Sequence, residues 1–195
     1  MNIEDAIVNI NLPLDGKINK YLTNKELFKK LIEFTEYKSI EKMKVGTIKF
    51  NKLDENVRNV YGYSLTKEKI SDKVYFRHIN DIMNYCYVFY KAKFPLITTE
   101  YLNQIDLLKY QAGGKYEKHI DHFFGSTRTL SFILNLNEEY EGGDFVFYDE
   151  KNNEVIKKIK CNTGTVIFFP SNFLYPHSVQ PITKGTRYSI VGWIT

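Results

Sequence analysis

The sequence contains few cysteines, and their spacing excludes the frameworks that cysteines usually build. Cys86 and Cys161 are the only two, and no C-x-x-C motif occurs. A disulfide scaffold or a zinc knuckle needs more cysteines at closer spacing. No long apolar run suggests a transmembrane helix, and the N-terminus has early acidic residues where a signal peptide would be apolar. We therefore expect a cytoplasmic protein with reduced thiols and no membrane partner.

A strong charge of one sign is also missing. The net charge is +4, and the excess of Lys and Arg falls in residues 1–100. A basic half suits an acidic partner, but a Lys-rich solvated surface explains it more simply. No element combines clustered basic residues with interleaved aromatics, so nucleic acid is not a favoured partner.

Apolar and aromatic residues are plentiful, at 43% and 15% of 195 residues, enough for one sizeable core. Residues 24–35 and 72–93 carry apolar side chains at helical spacing. Asn24 and Asp72 are the candidate N-caps, and the second helix should end before Pro95. The sequence therefore predicts two helices in its N-terminal half.

After Thr98 the pattern changes to short β-branched and aromatic runs separated by turn signals. The spacing predicts about eight strands, with "EEYEGG" and "TKG" as turns between them. Residues 45–65 predict further short strands around Gly62. This arrangement favours a β-sandwich or jelly roll with helices packed against it.

The stretch "YQAGGKYEKHIDHFFG" holds two of the four histidines. Side chains at i and i+2 of a strand share a face, so His119 and Asp121 project together while His122 points away. His177, in "LYPHSVQ", is the candidate third ligand. Two histidines and one carboxylate leave three positions of an octahedron open, as in non-haem Fe(II) oxygenases. A zinc or cupin-type metalloenzyme could use the same three residues.

Arg187 follows His177 by ten residues, on the strand-like segment "TRYSIVGWIT". An unpaired buried cation is costly, and a guanidinium pairs with a carboxylate through two parallel bonds. Ser189 and Trp193 lie on the same face of this strand. Ser189 could therefore add a hydroxyl contact to that carboxylate, and Trp193 could line the same cavity.

These residues carry a resemblance to prolyl 4-hydroxylase-like 2-oxoglutarate/Fe(II) dioxygenases. That family's run Y-x-x-G-x-x-Y-x-x-H-x-D is matched by Tyr110, Gly113, Tyr116, His119 and Asp121. "RTLSFILNLNEEYEGGDFVFYD" resembles its strand, acidic loop and following strand. "GTVIFFPSNFLYPHSVQPITKGTRYSIVGW" resembles its closing segment. The likeness covers residues 104–195 and extends more loosely to the predicted helices and "VRNVYGYSL".

The resemblance implies a mostly β fold, a double-stranded β-helix (jelly roll) with N-terminal helices packed on its major sheet. It implies a single domain over residues 1–195, with a helical, substrate-facing part at 1–98 and the jelly-roll core at 99–195. Fe(II) would be the metal, 2-oxoglutarate and O₂ the co-substrates, and ascorbate a further cofactor. The expected reaction hydroxylates a C–H bond and releases succinate and CO₂.

Site residues carry over position by position. His119, Asp121 and His177 would bind Fe(II). Arg187 would pair with the distal carboxylate of 2-oxoglutarate, and Tyr110 would direct its hydroxyl towards the same co-substrate. Asn135 departs from the family, since many relatives place a co-substrate-binding Tyr there, although Asn can still donate a hydrogen bond.

The substrate is specified less closely than the reaction. The resemblance favours a peptidyl proline or another protein side chain, and a small molecule or a nucleic-acid base stays open. A non-catalytic jelly-roll binding module is a further alternative. The side chains that could face the substrate are Tyr61, Tyr63 and Arg128. No feature of the sequence indicates an oligomeric state.

Overall fold

The computed structural model describes residues 2–14, 25–38, 41–43, 45–46, 51–99 and 101–195. The helices in these ranges are a 3₁₀ turn at Ile3–Ala6, α1 at Lys25–Lys38 and α2 at Ile70–Lys93. The strands before α2 are β1 (Val8–Asn11), β2 (Glu41–Lys42), β3 (Val45–Gly46), β4 (Asn51–Lys52), β5 (Arg58–Asn59) and β6 (Tyr61–Ser64). The strands after α2 are β7 (Leu102–Tyr110), β8 (Lys115–His119), β9 (Leu130–Asn135), β10 (Tyr140–Gly142), β11 (Phe145–Tyr148), β12 (Val155–Ile159), β13 (Thr165–Pro170), β14 (His177–Val179), β15 (Ile182–Gly185) and β16 (Arg187–Ile194).

Two antiparallel sheets form the body of the protein. The major sheet has seven strands in the order β1-β13-β9-β16-β7-β6-β2. The minor sheet has five strands in the order β12-β11-β14-β8-β5. Strands β10 and β15 pair separately, as do β3 and β4. Neighbours in the major sheet come from distant parts of the chain, as in a jelly roll.

The two faces of the major sheet bury side chains in two different cores. Phe132 and Leu134 of β9 join α2 residues such as Ile82 in one core. Ile133, between them in sequence, joins Phe147 of the minor sheet in the other. Successive strand residues point to opposite faces, so a strand covered on both sides is apolar throughout.

The predicted double-stranded β-helix is therefore confirmed, with one face of its major sheet covered by helices. Packing of this kind carries much of the stability. Phe132 is fully buried, for example, and a Phe→Ala change at such a site costs about 3–5 kcal/mol.

The prediction that Asp72 caps α2 is wrong. The N-cap is Lys69, and Asp72 lies inside the first turn of the helix. Its buried carboxylate accepts hydrogen bonds from the Tyr63 hydroxyl at 2.8 Å and the Thr66 backbone N–H at 3.0 Å. The side chain thus ties α2 to the segment before it instead of capping the helix. The Asn24 cap lies outside the described residues.

The sequence pattern also underestimates the number of strands. "EEYEGG" and "TKG" contain β10 and β15, which pair with each other, so ten strands follow Thr98 in the described part of the chain. Both are short and rich in turn residues, and their pairing partner is remote in sequence. Their turn-forming residues therefore predict turns at positions where the structure has strands.

No helix within the described residues is long and apolar enough to cross a lipid bilayer.

Candidate metal centre and co-substrate pocket

Strand pairing in the minor sheet brings the three candidate ligands together. His119 is the last residue of β8, His177 is the first of β14, and the two are partners in the ladder. Asp121 lies two residues beyond the end of β8. Its Oδ1 lies 3.7 Å from His119 Nε2 and 3.8 Å from His177 Nε2. The ligand atoms of all three residues lie within 4.8 Å of one another, so one ion could contact them all.

Backbone carbonyls determine which nitrogen of each histidine faces this centre. His119 Nδ1 lies 2.8 Å from the Glu117 carbonyl, and His177 Nδ1 lies 3.0 Å from the Tyr175 carbonyl. A carbonyl can only accept, so each Nδ1 must carry the proton. Each Nε2 then has a free lone pair directed towards Asp121. This is the tautomer that a metal-binding imidazole needs.

Asp121 is oriented by a neighbouring hydroxyl. Ser131 Oγ donates to Asp121 Oδ2 at 2.5 Å and lies 2.9 Å from Ser171 Oγ. Asp121 is almost fully buried, and Ser131 is completely so. With Oδ2 held by Ser131, Oδ1 is left facing the two imidazoles.

The environment sets the protonation states of the ligands. Burial and, after it, the neighbouring His177 lower the pKa of His119 to about 3. Burial acts to raise the pKa of Asp121, but His177, His119 and the Ser131 hydrogen bond together hold it below its ordinary value. At neutral pH the site therefore offers a neutral His119 and an ionised carboxylate, as metal binding requires.

Arg187 lies at the start of β16, opposite Tyr110 of β7. Its side chain is 1% exposed, and its Nε donates to Asn135 Oδ1 at 2.9 Å. Its two terminal nitrogens are buried and make no hydrogen bond of good geometry among the described residues, although the Tyr140 hydroxyl and the Cys161 thiol lie near the guanidinium. A buried guanidinium with two unsatisfied nitrogens is costly unless a ligand pairs with it. A carboxylate fits that requirement.

Tyr110 flanks this cation. The guanidinium carbon of Arg187 lies 5.4 Å from the centroid of the Tyr110 ring. Burial raises the pKa of Tyr110, so its hydroxyl stays protonated and can donate a hydrogen bond. Tyr110 is also close enough to Asp121 to interact with its charge. Ser189 is buried on the same strand as Arg187, opposite Asn135 in the ladder.

Both polar atoms of the Asn135 side chain bond to other residues of the protein. Its Nδ2 donates to the backbone carbonyls of Cys161 at 2.9 Å and Asn162 at 3.3 Å, while its Oδ1 accepts from Arg187. Because Nδ2 donates to these carbonyls, it is not left free for the hydrogen bond to the co-substrate that the sequence led us to expect.

A cavity of about 500 Å³ opens beside His119 and Asp121. Arg128 and Trp193 line it, whereas Arg187 does not. The Arg128 guanidinium stacks on the Trp193 ring at 3.6 Å and donates to the Gln104 side chain at 3.0 Å. The wall of the cavity beside the ligands is thus both cationic and aromatic.

Tyr61 and Tyr63 do not line that cavity. Tyr63 donates its hydroxyl to Asp72, and Lys42 Nζ lies 5.0 Å from the centroid of the Tyr61 ring. His122 is exposed and lies outside the ligand cluster, beyond the end of β8 at His119.

Two residues of this region were missed by sequence reasoning. Ser131 orients Asp121, and Tyr140 donates its hydroxyl to the Cys161 carbonyl at 2.7 Å behind the anchor. Alternation along β9 places Ser131 on the inner face of the sheet, which was an available signal. Tyr140 lies in a segment whose pattern predicts a turn, and no local feature marks it.

The fold and the site together define a class: a double-stranded β-helix with two histidines and one carboxylate at adjoining strand ends, and a buried arginine on the major sheet. Residues 105–195 match the sequence model of the 2OG-Fe(II) oxygenase superfamily. This match confirms the resemblance to prolyl 4-hydroxylase-like dioxygenases. The family implies Fe(II), with 2-oxoglutarate and O₂ as co-substrates, and the ligand atoms and Arg187 fit those groups.

The chain also resembles individual hydroxylases in sequence or in structure. A PKHD-type hydroxylase from Prochlorococcus marinus is 40% identical over 90 residues, which is 44% of this chain and 38% of that protein. The chain thus spans well under half of this relative's length. A prolyl hydroxylase from Trichoplax adhaerens, in complex with a hypoxia inducible factor oxygen degradation domain peptide, has a TM-score of 0.74 at 16% identity, covering 97% of this chain and 83% of that one. A viral collagen prolyl hydroxylase from Paramecium Bursaria Chlorella virus-1 has a TM-score of 0.66 at 17% identity, covering 97% and 95%. Because the identities to these two structures are so low, the structural likeness shows a shared fold and nothing more.

Proposed function

We propose that this protein is a 2-oxoglutarate- and Fe(II)-dependent dioxygenase that hydroxylates a peptidyl proline or another protein side chain. The observation that carries the proposal is the pair of unsatisfied Arg187 nitrogens, buried in the same fold as a triad of converging ligands. A metal site alone would suit several chemistries. A metal site accompanied by a buried carboxylate anchor suits a dicarboxylate co-substrate.

Each residue then has a defined task. His119, Asp121 and His177 would hold the metal through Nε2, Oδ1 and Nε2. Arg187 would bind the distal carboxylate of 2-oxoglutarate, and Tyr110 would donate its hydroxyl to the same molecule. When bound, Fe(II) with 2-oxoglutarate and O₂ supplies the oxidant for inserting one oxygen atom into a C–H bond, with succinate and CO₂ as co-products.

Aromatic rings pack against the His177 side of the metal site. The ring of His177 lies 5.1 Å from that of Phe145 and 4.7 Å from that of Phe169, measured between centroids. His177 itself is 2% exposed. Apolar packing on one side of a reactive centre limits side reactions there.

A polypeptide substrate is supported by the surface at the mouth of the cavity. Exposed apolar side chains lie on the two loops beside it, and we call this set the apolar rim: Ile120, Phe123, Phe124 and Phe173. Ile120 and Phe123 line the cavity itself, and a backbone hydrogen bond from His122 to Ser171 joins the two loops that carry the rim. A cluster of exposed apolar residues typically marks an interaction site. The Trichoplax neighbour bound to a peptide supports the same substrate class.

We further propose that residues 1–195 work as one domain. Strands β1 and β6, from the N-terminal half, pair with β13 and β7 of the major sheet and support this view. A cytoplasmic location is supported by Cys86 and Cys161, which are both buried free thiols.

Anaerobic titration of the metal-free protein with Fe(II) and then 2-oxoglutarate tests the reaction class. We expect one Fe(II) to bind and the weak visible charge-transfer band of the chelate to appear. The band should be absent in Asp121→Ala and present in the neighbouring control His122→Ala. Tight zinc binding without a 2-oxoglutarate response would indicate a zinc or cupin-type enzyme. Absence of metal binding would indicate a binding module.

The substrate class needs a second experiment. Succinate release is measured with proline-containing peptides, with free amino acids and other small molecules, and with oligonucleotides. Stimulation by peptides supports the proposal. Stimulation confined to small molecules or to oligonucleotides would overturn the choice of a protein substrate while leaving the reaction class in place.

A further inference from the structure

The buried anchor Arg187 is held on one side by a neutral side chain. Arg187 Nε donates to Asn135 Oδ1 at 2.9 Å, and both residues are almost completely buried. They lie on the adjacent strands β16 and β9 of the major sheet, where pairing of the two strands sets their separation. The contact therefore lies where these two paired strands end and begin.

The orientation of the Asn135 amide is determined by its surroundings. Nδ2 lies 2.9 Å from the Cys161 carbonyl and 3.3 Å from the Asn162 carbonyl, and it also donates to the Asn137 carbonyl. Carbonyl oxygens can only accept, so the NH₂ group must face them and Oδ1 must face Arg187. A flipped amide would place two donors face to face. Asn135 therefore behaves as a rigid acceptor aimed at Arg187.

This arrangement selects one edge of the guanidinium. A guanidinium can bind a carboxylate side-on, through Nε and one terminal nitrogen, or end-on, through both terminal nitrogens. In this protein Asn135 occupies Nε, and the terminal nitrogens are the atoms left without a partner among the described residues. Only the end-on edge is free to form two parallel bonds.

We propose that Asn135 is a positioning residue that presents the end-on edge of Arg187 to the distal carboxylate of 2-oxoglutarate. It acts through Arg187 and does not touch the co-substrate. This inference rests on the proposed function, and it gives a task to the position where the family resemblance had led us to expect a direct contact.

The neutral amide suits this task better than a carboxylate would. Asp at position 135 would form an ion pair with Arg187 and cancel the charge that attracts an anionic co-substrate. An amide offers the same acceptor geometry and leaves the guanidinium with its full positive charge. Tyr140 adds a second neutral neighbour, with its hydroxyl 3.4 Å from Asn135 Oδ1.

A double-mutant cycle on ligand binding tests the proposal. Asn135→Leu, Arg187→Ala and the double variant are titrated anaerobically, as Fe(II)-loaded proteins, with 2-oxoglutarate and with pyruvate in a calorimeter. Pyruvate has the chelating keto acid but lacks the distal carboxylate. We expect Asn135→Leu to weaken 2-oxoglutarate binding about tenfold and to leave pyruvate binding unchanged. In the Arg187→Ala background it should cause no further loss.

Three outcomes would overturn the inference. An equal loss from Asn135→Leu in both backgrounds would mean that Asn135 contacts the co-substrate directly. An equal loss for 2-oxoglutarate and pyruvate would mean a general structural role. Unchanged binding in Asn135→Leu, together with weakened binding in Arg187→Ala, would mean that the anchor needs no positioning. If the unsubstituted protein fails to bind 2-oxoglutarate, the proposed function itself fails.

Two further variants guard against misfolding. Asn135→Asp keeps the acceptor that faces Arg187 but puts a second oxygen against the Asn137, Cys161 and Asn162 carbonyls, so its fold is checked by circular dichroism; we expect it to lose most of the preference for 2-oxoglutarate over pyruvate. An unchanged preference in that variant would contradict the proposal. Asn137→Ala is the matched control, since Asn137 is a buried amide two residues further along that bonds the Thr186 carbonyl and the Tyr188 N–H. It should lower thermal stability without altering the preference.

Discussion

His119 and His177 face each other as ladder partners across β8 and β14, with ring centroids 4.3 Å apart. Their Nε2 atoms lie at nearly equal distances from Asp121 Oδ1, 3.7 and 3.8 Å. Two ligands that are remote in sequence are thus held by the hydrogen bonds of one sheet. A metal ion at this point would link the two strands.

Asp121→Ala should remove the only anionic ligand of the triad. His119 is neutral at physiological pH because its pKa is lowered to about 3, so the remaining imidazoles would hold a divalent cation without charge compensation. We expect Fe(II) affinity to fall by more than about 100-fold and Fe(II)-dependent succinate formation to be lost. Metal content after gel filtration and succinate assays measure both effects. Normal turnover in this variant would disprove the ligand assignment.

Ser131→Ala should weaken the metal site without removing a ligand. The variant frees Asp121 Oδ2 from its hydrogen bond, so the carboxylate can rotate away from the imidazoles. Outer hydrogen bonds of this kind are worth about 10- to 100-fold in metal affinity. Equilibrium Fe(II) titration provides the value.

Ser171→Ala is the control for that experiment. It removes the neighbour of Ser131 and leaves the bond to Asp121 in place, so its effect on affinity should be much smaller. Equal effects from the two substitutions would refute the role given to Ser131.

Phe124→Ser tests the apolar rim. Phe124 is 84% exposed, so its removal should leave the free energy of unfolding almost unchanged. If the rim binds a polypeptide, KM for a peptide substrate should rise about 3- to 10-fold, with KM for 2-oxoglutarate unaffected. Phe89→Ser on α2, where Phe89 is half-exposed, serves as the control. A matching rise in that control would argue against a specific rim.

Asp72→Asn should reveal a pH-dependent part of the stability. Burial acts to raise the pKa of Asp72, but hydrogen bonds from Thr66, Tyr63 and Ser71, with the Lys38 ammonium, lower it from 3.8 to about 2. A carboxylate with a depressed pKa in the folded state stabilises that state above its unfolded pKa. The contribution disappears as the pH falls through the folded pKa.

The measurement compares denaturant unfolding of wild type and Asp72→Asn from about pH 6 down to pH 2. We expect the wild type to be more stable by about 1–3 kcal/mol near neutrality, with the difference closing between about pH 4 and pH 2. Asp81→Asn, on the exposed face of α2, is the matched surface control. A difference that stays constant with pH would mean that the Asp72 charge is not responsible.

Much of the site follows from patterns that the sequence carries. The two-residue period of a strand predicted His119 and Asp121 together with His122 apart; the structure brings His119 and Asp121 together and leaves His122 out, although β8 ends at His119 and a bend places Asp121. Arg187 was recognisable because a cation on an otherwise apolar strand needs a partner. Ser131 and Asn135 were harder to assign, since their partners belong to other strands or loops and no local period encodes such contacts.

By itself the sequence determined the two helices, most of the strands and the type of metal-binding residues, because helical and strand periodicities are local properties of the chain. Only the tertiary structure decided which His177 nitrogen faces Asp121, and which edge of Arg187 remains free. It also decided that the buried Asp72 carboxylate links α2 to the preceding segment and that β10 pairs with β15. These features depend on hydrogen bonds between segments distant in the chain. Their geometry exists only once the two sheets have assembled.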